Sequence, residues 1–222
     1  MAAPATIPFD GGDLPGLADE PGDPVAALVL GHGAGAGMAH PFLETLAGGL
    51  AGQGIAVLRY QFPFMARGSR RVDAPAVAQA AVRAACAAAA CRWPSLPLFA
   101  GGKSFGARMA SQAQGAEPLP GVRGLVFVGF PLHPAGKPAV ARADHLAQVR
   151  VPMLFLQGTR DALADLSLVT QVAQALGGWA SLHVVDGADH GFDVLVRSGR
   201  TAVQVQAELV DAVLQWVQGQ SG

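Results

Sequence analysis

Residues 96–109 read Leu-Pro-Leu-Phe-Ala-Gly-Gly-Lys-Ser-Phe-Gly-Ala-Arg-Met and decide how the rest of the chain is interpreted. They contain the motif G-x-S-x-G with Ser104 at its centre, after an apolar run and before a run that is compatible with a helix. A sharp strand-to-helix turn needs positions almost free of side chain two residues before and two residues after the serine, and Gly102 and Gly106 meet that need. The motif therefore predicts a nucleophile elbow in which Ser104 is a catalytic nucleophile.

Short apolar runs alternate with helix-compatible segments from residue 25 onward. The apolar runs are about five to seven residues long, as buried parallel strands are. They are Val25–Leu30, Ile55–Tyr60, Leu96–Ala100, Gly124–Phe130, Val151–Gln157 and Ser181–Val185. The helical segments are Pro41–Gln53, Ala74–Ala90, Phe105–Gln114, Leu166–Leu176 and Thr201–Val217. The alternation predicts an α/β fold, a three-layer α/β/α sandwich around a mostly parallel sheet. We expect a single domain over residues 1–222, with residues 1–24 as an arm or an edge strand near Ala5–Phe9.

Composition narrows the class of protein. The chain has 222 residues, 51% hydrophobic and 14% charged, with a formal net charge of −1. This balance predicts no nucleic-acid partner, and no apolar stretch has the length of a membrane span. The N-terminus lacks the basic and apolar regions of a secretory signal, and the cysteines Cys86 and Cys91 have neither disulfide nor metal-site spacing. We expect a cytoplasmic protein.

A catalytic serine needs a base, which is usually a histidine oriented by a carboxylate. On a fold with a nucleophile elbow the expected chain order is serine, acid, histidine. Asp161 ends the stretch Phe-Leu-Gln-Gly-Thr-Arg-Asp, and His190 lies in Asp-Gly-Ala-Asp-His-Gly-Phe. Each follows a predicted strand, and the carboxyl ends of parallel strands meet at one edge of the sheet. The sequence therefore predicts Ser104, Asp161 and His190 as a catalytic triad.

Other acids and histidines near these positions have structural interpretations. Asp165 falls in or near the start of a helix, where aspartate is commonly a cap. Asp186 and Asp189 fit a turn. His40 can begin a helix beside the site. Three further histidines are interpreted as core or surface residues: His133, His145 and His183.

A glycine-rich loop follows the first buried strand and reads Gly31-His-Gly-Ala-Gly-Ala-Gly37. Acyl transfer needs backbone N–H donors for the developing oxyanion. We predict one donor at Phe105, directly after the nucleophile, and the second at Ala34, with Gly33 or Gly35 as alternatives. His32 is interpreted as a brace for this loop.

Two stretches of the sequence partly match phosphate-binding motifs. Gly102-Lys103-Ser104 resembles the end of a P-loop, but Pro97 stands where that motif needs a glycine. The loop after residue 30 also fits a loose G-x-G-x-x-A dinucleotide motif, and Arg59 makes an NADP-type site conceivable. That hypothesis leaves the serine, acid and histidine unexplained, so we predict no cofactor and no metal.

The assembled motifs resemble those of the α/β-hydrolase superfamily. Within it, the chain is similar to the small dienelactone-hydrolase-like proteins related to the KANSL/testis-expressed family. The resemblance lies in LVLGHGAGAGMAHPF, LRYQFPFMARGSRR, FAGGKSFGARMAS, LFLQGTRD and DGADHGF, in this order within residues 25–193. It implies Ser104, Asp161 and His190 as the triad and Ala34 and Phe105 at the oxyanion hole.

The connections at this edge of the sheet indicate the kind of substrate. The segment Pro131–Arg150 is too short for a large helical cap, so we expect an open site for a small-molecule ester. Phe62, Phe64 and Met65 can line an apolar wall for substrate. The loop 61–73 also has three arginines that can attract an anion, Arg67, Arg70 and Arg71. The alternative is that the apolar side chains of this loop are buried as a plug and that its arginines form a solvated basic rim.

The leading hypothesis is a serine hydrolase that cleaves a carboxylic ester or a thioester. A non-catalytic interaction protein with the same fold is the second hypothesis, and an NADP-binding reductase is the third. The sequence does not indicate an oligomeric state.

Overall fold

The alternating pattern folds into one mixed sheet, seen in a computed structural model that describes residues 2–10 and 12–220. Within these residues the sheet has eight strands in the order β1-β2-β4-β3-β5-β6-β7-β8. The strands are β1 (Ala3–Ile7), β2 (Leu14–Asp19), β3 (Ala26–Gly31), β4 (Ile55–Tyr60), β5 (Leu98–Lys103), β6 (Val122–Val128), β7 (Met153–Gly158) and β8 (Ala180–Val185). Strands β3 to β8 pair in parallel, as the short apolar runs predict.

Helices cover both faces of the sheet. They are α1 (Pro41–Gly52), α2 (Pro63–Ala66), α3 (Pro75–Arg92), α4 (Phe105–Ala116), α5 (Leu166–Leu176) and α6 (Ala202–Gly219). Helices α1 and α6 pack together in one apolar layer. Helices α3, α4 and α5 contribute to the other layer. Neighbouring residues of one strand point to opposite layers, so Val29 joins the second layer while Leu28 and Leu30 join the first. This is the predicted three-layer α/β/α sandwich.

The N-terminal residues form a pair of antiparallel strands. β1 overlaps the edge strand expected near Ala5–Phe9, and β2 joins it to β4. At the end of β2, Asp19 receives hydrogen bonds from Nε and Nη2 of the buried Arg59, at 3.0 and 2.8 Å. This ion pair fixes the antiparallel strands to the parallel part of the sheet.

Helix ends follow the capping signals in the sequence. Asp165 is the N-cap of α5, and its Oδ1 accepts a hydrogen bond from Ser167 N at 2.9 Å. Thr201 and Gln204 form a capping box at the start of α6. The interpretation of Asp165 as a cap is confirmed.

The connection between β6 and β7 contains a short 3-10 segment, Ala141–Gln148, and no large helical cap. The carboxyl edge of the sheet beside this connection therefore stays open. None of the helices in residues 2–10 and 12–220 combines the length and apolar character that a bilayer crossing requires.

Candidate active site

Ser104 lies at a tight turn between β5 and α4. Its backbone has φ 51° and ψ −107°, a conformation that a residue with a side chain rarely adopts. A Cβ added at Gly102 or at Gly106 would come within 2.5 Å of the carbonyl oxygen of Gly31. The two glycines of the motif are therefore required by the close approach of β3. The arrangement is that of a nucleophile elbow, with the serine side chain held at the carboxyl edge of the sheet.

The side chains of Ser104, His190 and Asp161 form a continuous hydrogen-bonded chain. His190 Nε2 lies 2.9 Å from Ser104 Oγ, and His190 Nδ1 lies 2.7 Å from Asp161 Oδ2. The imidazole is 24% exposed, whereas the carboxylate is 1% exposed. A base that is open to substrate and an acid that is closed to water suit proton transfer from the serine.

Two further groups hold the carboxylate of Asp161. Its Oδ1 accepts a hydrogen bond from Leu163 N at 2.7 Å, and its Oδ2 accepts one from Gln157 Nε2 at 2.5 Å. Gln157 is fully buried near the end of β7. Sequence reasoning missed this residue, although an amide near the end of an otherwise apolar strand was a signal.

The glycine-rich loop after β3 passes directly beside the serine. A Cβ added at Gly33 would lie 3.8 Å from Ser104 Cβ. Phe105 is the first residue of α4, and the N–H groups of a helix's first turn have no acceptor within the helix. The backbones of Ala34, Gly33 and Gly35 line the cavity in front of the serine. Ala34, Gly33 and Gly35 thus border the cavity in front of Ser104, and Phe105 directly follows Ser104 at the start of α4.

His32 ties this loop to the segment after β4. Its Nε2 accepts a hydrogen bond from Phe62 N at 3.0 Å, so Nδ1 has the proton and donates to Gly33 O at 2.7 Å. Burial lowers the pKa of His32, which favours this neutral form. His32 acts as the brace that the sequence suggested.

Arg59 supports the same loop from behind. Besides its ion pair with Asp19, it donates from Nη1 to Met38 O at 2.9 Å. Its residue exposure is 1%, and its side chain does not line the cavity in front of Ser104. The NADP-type hypothesis required this guanidinium to reach a phosphate, and its buried ion pair contradicts that role.

The cavity in front of Ser104 has a volume of about 260 Å³ and mostly apolar walls. Its walls come from the glycine-rich loop, the start of α1, the end of β5 with Ser104, and the loops after β7 and β8. The lining residues are Gly33, Ala34, Gly35, Ala36, His40, Phe42, Leu43, Lys103, Ser104, Leu163, His190 and Gly191. His40 caps α1, with Nδ1 accepting from Phe42 N at 3.3 Å, so it begins a helix beside the site as expected.

The prediction that Phe62, Phe64 and Met65 line a substrate wall is wrong in the structure. Phe62 and Phe64 have 0% exposure and pack into the core, and Met65 packs against the same cluster. Phe105 contacts both phenylalanine rings, at centroid distances of 5.1 and 5.9 Å. The rings support the start of helix α4, directly after Ser104. Arg67 is exposed and pairs with Asp73, which fits the alternative of an apolar plug with a solvated basic rim.

The remaining histidines have structural partners away from the cavity. His133 Nε2 accepts a hydrogen bond from Asp165 N at 3.0 Å, which ties it to the start of α5. The other two pair with side chains of neighbouring helices, His145 with Ser111 at 2.8 Å and His183 with Glu208 at 2.9 Å. In the part of the chain that the structure describes, no group of three or more His, Cys, Asp or Glu side chains is arranged to hold a metal ion.

Comparison with known proteins identifies the family. Residues 24–218 match the family described as alpha/beta hydrolase domain, and the chain belongs to it. An α/β serine hydrolase without a lid from Xanthomonas campestris is 22% identical, with a TM-score of 0.76 over 97% of this chain and 94% of that one. A dienelactone hydrolase from Anabaena variabilis is 16% identical, with a TM-score of 0.81 over 99% of this chain and 98% of the other.

A cold-adapted esterase from an Arctic intertidal metagenomic library is also similar in structure. It is 23% identical, with a TM-score of 0.65 over 96% of this chain and 93% of the esterase. At this level of identity these similarities establish the fold. The chain is an α/β-hydrolase by family and by fold.

Proposed function

We propose that this protein is a serine hydrolase that cleaves carboxylic esters or thioesters through an acyl-enzyme. The observation that carries the proposal is the hydrogen-bonded chain from Ser104 through His190 to Asp161 at the floor of an apolar cavity. A protein that used the fold only for interaction would not need this alignment of nucleophile, base and acid.

In the proposed acylation step, Ser104 Oγ attacks the substrate carbonyl carbon while its proton moves to His190 Nε2. The carbonyl oxygen becomes an oxyanion, and its charge returns to the carbonyl as the bond to the leaving group breaks. The leaving alkoxide or thiolate takes the proton from His190. In deacylation, water loses a proton to His190 and attacks the acyl carbon, and Ser104 Oγ leaves with that proton.

The proposed oxyanion hole consists of backbone N–H groups from two loops. Phe105 N–H and Ala34 N–H would donate to the oxyanion, with Gly33 or Gly35 as alternatives to Ala34. The position of Ala34 on the border of the cavity, and of Phe105 directly after Ser104 in the first turn of α4, supports this assignment. Asp161 would keep the Nδ1 proton on His190 and stabilise the imidazolium that forms during each step.

The size of the cavity supports a small substrate. A volume of about 260 Å³ lies just below the usual range of ligand sites, and the β6–β7 connection adds no cap that would enclose a long chain. We propose esters with short acyl groups as substrates, handled without a cofactor. We also propose that the chain is a single domain. We further propose a cytoplasmic location, which the free cysteines Cys86 and Cys91 support.

Steady-state hydrolysis of 4-nitrophenyl acetate, butyrate and octanoate tests this function. We expect the acetate and butyrate to give higher kcat/KM than the octanoate, and Ser104→Ala to lose at least about 10³-fold in kcat. Ser111→Ala is the matched control, because Ser111 also contacts a histidine but lies outside the cavity. Equal hydrolysis by wild type and Ser104→Ala would refute the proposal.

A further inference from the structure

Lys103 directly precedes the candidate nucleophile, and its side chain joins three elements. It is the last residue of β5, and its Nζ donates a hydrogen bond to the main-chain carbonyl of His190. The same Nζ lies 5.2 Å from the ring centroid of Phe42, at the start of α1. It lies 5.0 Å from the ring centroid of Phe192, in the loop after His190. One side chain therefore connects β5, α1 and the histidine loop.

The ammonium group is in an environment that is costly for a charge. Within residues 2–10 and 12–220 no carboxylate forms a salt bridge with it. Burial lowers the pKa of Lys103 to about 8, although the more distant carboxylates of Asp161, Asp189 and Asp193 act in the opposite direction. A methionine would fill similar space without this cost. What distinguishes lysine here is its charge over two rings and its N–H donors.

The loop after His190 has a strained conformation that these contacts can hold. Phe192 has φ 68°, in the left-handed region that bulky residues rarely adopt and that persists only where the surroundings fix it. Its buried ring stacks on Phe42, with centroids 5.7 Å apart and planes 24° apart. A Cβ added at Gly129 would lie 3.5 Å from both the His190 and the Phe192 rings, so the loop is packed from the β6 side as well.

His190 is thus held at two atoms by two consecutive residues of the chain. Its ring Nε2 meets Ser104 Oγ, and its carbonyl oxygen meets Lys103 Nζ. Since Lys103 and Ser104 are neighbours in sequence, the lysine couples the backbone of the base to the backbone of the nucleophile. A loop shift of about 1 Å at such a contact is enough to slow proton transfer severely.

We propose that Lys103 is a positioning residue for proton transfer by His190. Together with Phe42 and Phe192, it fastens the histidine loop to the strand end that carries Ser104, so that His190 Nε2 stays within hydrogen-bond distance of Ser104 Oγ. This inference rests on the proposed function of the same site.

The test compares Lys103→Met, Lys103→Arg and wild type, with Lys137→Met as the matched control. Lys103 and Lys137 are the two lysines of the chain, and Lys137 is exposed away from the cavity. We would measure kcat and KM for 4-nitrophenyl butyrate, the rate of phosphonylation by a fluorophosphonate, and Tm. Lys103→Met should lower kcat and the phosphonylation rate by about tenfold to hundredfold. Its KM should stay within about twofold, because the loss lies in the chemical step.

Rescue separates positioning from packing. Lys103→Arg keeps the charge and the donors and should recover part of the rate, whereas Lys137→Met should match wild type. Phe192→Leu retains the lysine but removes one ring, so it should also lower kcat with little change in KM. This variant provides the test if Lys103→Met does not fold.

Three results would overturn the inference. One is a wild-type kcat in Lys103→Met, and another is a change confined to KM. The third is a Tm of Lys103→Met so low that the loss of folded protein at the assay temperature accounts for the whole loss of rate. A wild type that does not react with the fluorophosphonate would instead refute the proposed function itself. A wild type that reacts, beside a Lys103→Met that reacts equally fast, would refute only the role of Lys103.

Discussion

At the scale of single residues, the site depends on how Asp161 is held. Its carboxylate accepts hydrogen bonds from Gln157 and Leu163, and it contacts His190 Nδ1 at 2.7 Å. These contacts direct the acid toward the histidine and favour the tautomer whose Nε2 is free to accept the serine proton.

We expect Asp161→Asn to lower kcat by roughly 10³- to 10⁴-fold, because an amide can donate to His190 Nδ1 and so favour the wrong tautomer. Asp165→Asn is the matched control, since asparagine caps a helix as well as aspartate does. Steady-state kinetics of the two variants make the comparison. A nearly unchanged kcat in Asp161→Asn would contradict the assigned role.

Lys103 gives the protein a specific pH dependence. Its pKa of about 8 in the folded protein lies below the value of about 10.4 expected in an unfolded chain. Between these values the unfolded chain binds more protons, so the free energy of unfolding should rise with pH through this window. Lys103→Met should lose that rise.

Urea unfolding of wild type and Lys103→Met between pH 7.5 and 9.5 measures this difference. With lysine labelled at the ε position, NMR should show two lysine signals, and Lys137→Met identifies the signal of Lys103. A Lys103 signal that titrates near 10.4 rather than near 8 would contradict the burial argument.

Sequence reasoning succeeded for residues whose position follows from the sheet. Ser104, Asp161 and His190 each follow a strand, and the structure brings their side chains together at one edge; their catalytic roles stay predictions. Phe62 and Phe64 were assigned to the wrong side of their loop, because apolar residues after a strand can face either the cavity or the core. Lys103 and Gln157 were not predicted, since their roles depend on partners that are distant in sequence.

At the scale of elements, the turn between β5 and α4 imposes the strictest packing requirement. Gly101 and Gly102 look like turn residues in the sequence, yet both belong to β5. A Cβ added at Gly101 would lie 1.9 Å from Val126 O, so the neighbouring strand β6 leaves no space for one. From the sequence, this strand was predicted over Leu96–Ala100, because the close approach of β5 and β6 leaves no local sequence pattern.

Gly106→Ala and Gly48→Ala should have opposite effects on stability. The added Cβ at Gly106 would come within 2.5 Å of the backbone of Gly31, which should destabilise the fold by about 3 kcal/mol or more. At Gly48, in α1, nothing lies within 4 Å, and alanine should stabilise the helix by about 0.5–1 kcal/mol. Denaturant unfolding of both variants tests this, and a harmless Gly106→Ala would contradict the packing of the elbow.

The antiparallel strands at the N-terminus were only partly predictable. β2 contains Pro15 and Gly16, which argue against a strand between two neighbours. The pairing with β4 is supported by the buried Asp19–Arg59 ion pair, whose partners are far apart in the sequence. Long-range contacts of this kind leave no local pattern, so the sequence suggested an arm or an edge strand.

At the scale of the whole molecule, the strand order determines where the site forms. β3 lies between β4 and β5, so the chain runs from β3 to β4 on one side and then crosses over β3 to reach β5 on the other side. Ligand crevices of α/β proteins form at such a switch point, outside the carboxyl ends of the strands. Here the glycine-rich loop after β3 and Ser104 after β5 border the cavity. The alternation of strands and helices made this architecture predictable from the sequence.

The intact mass of the protein after incubation with a fluorophosphonate tests most directly whether Ser104 is an activated nucleophile. Wild type and Ser111→Ala should each gain the mass of one phosphonyl group, and Ser104→Ala should gain none, because His190 and Asp161 activate only Ser104 in this account. An unmodified wild type, or an adduct that persists in Ser104→Ala, would contradict it.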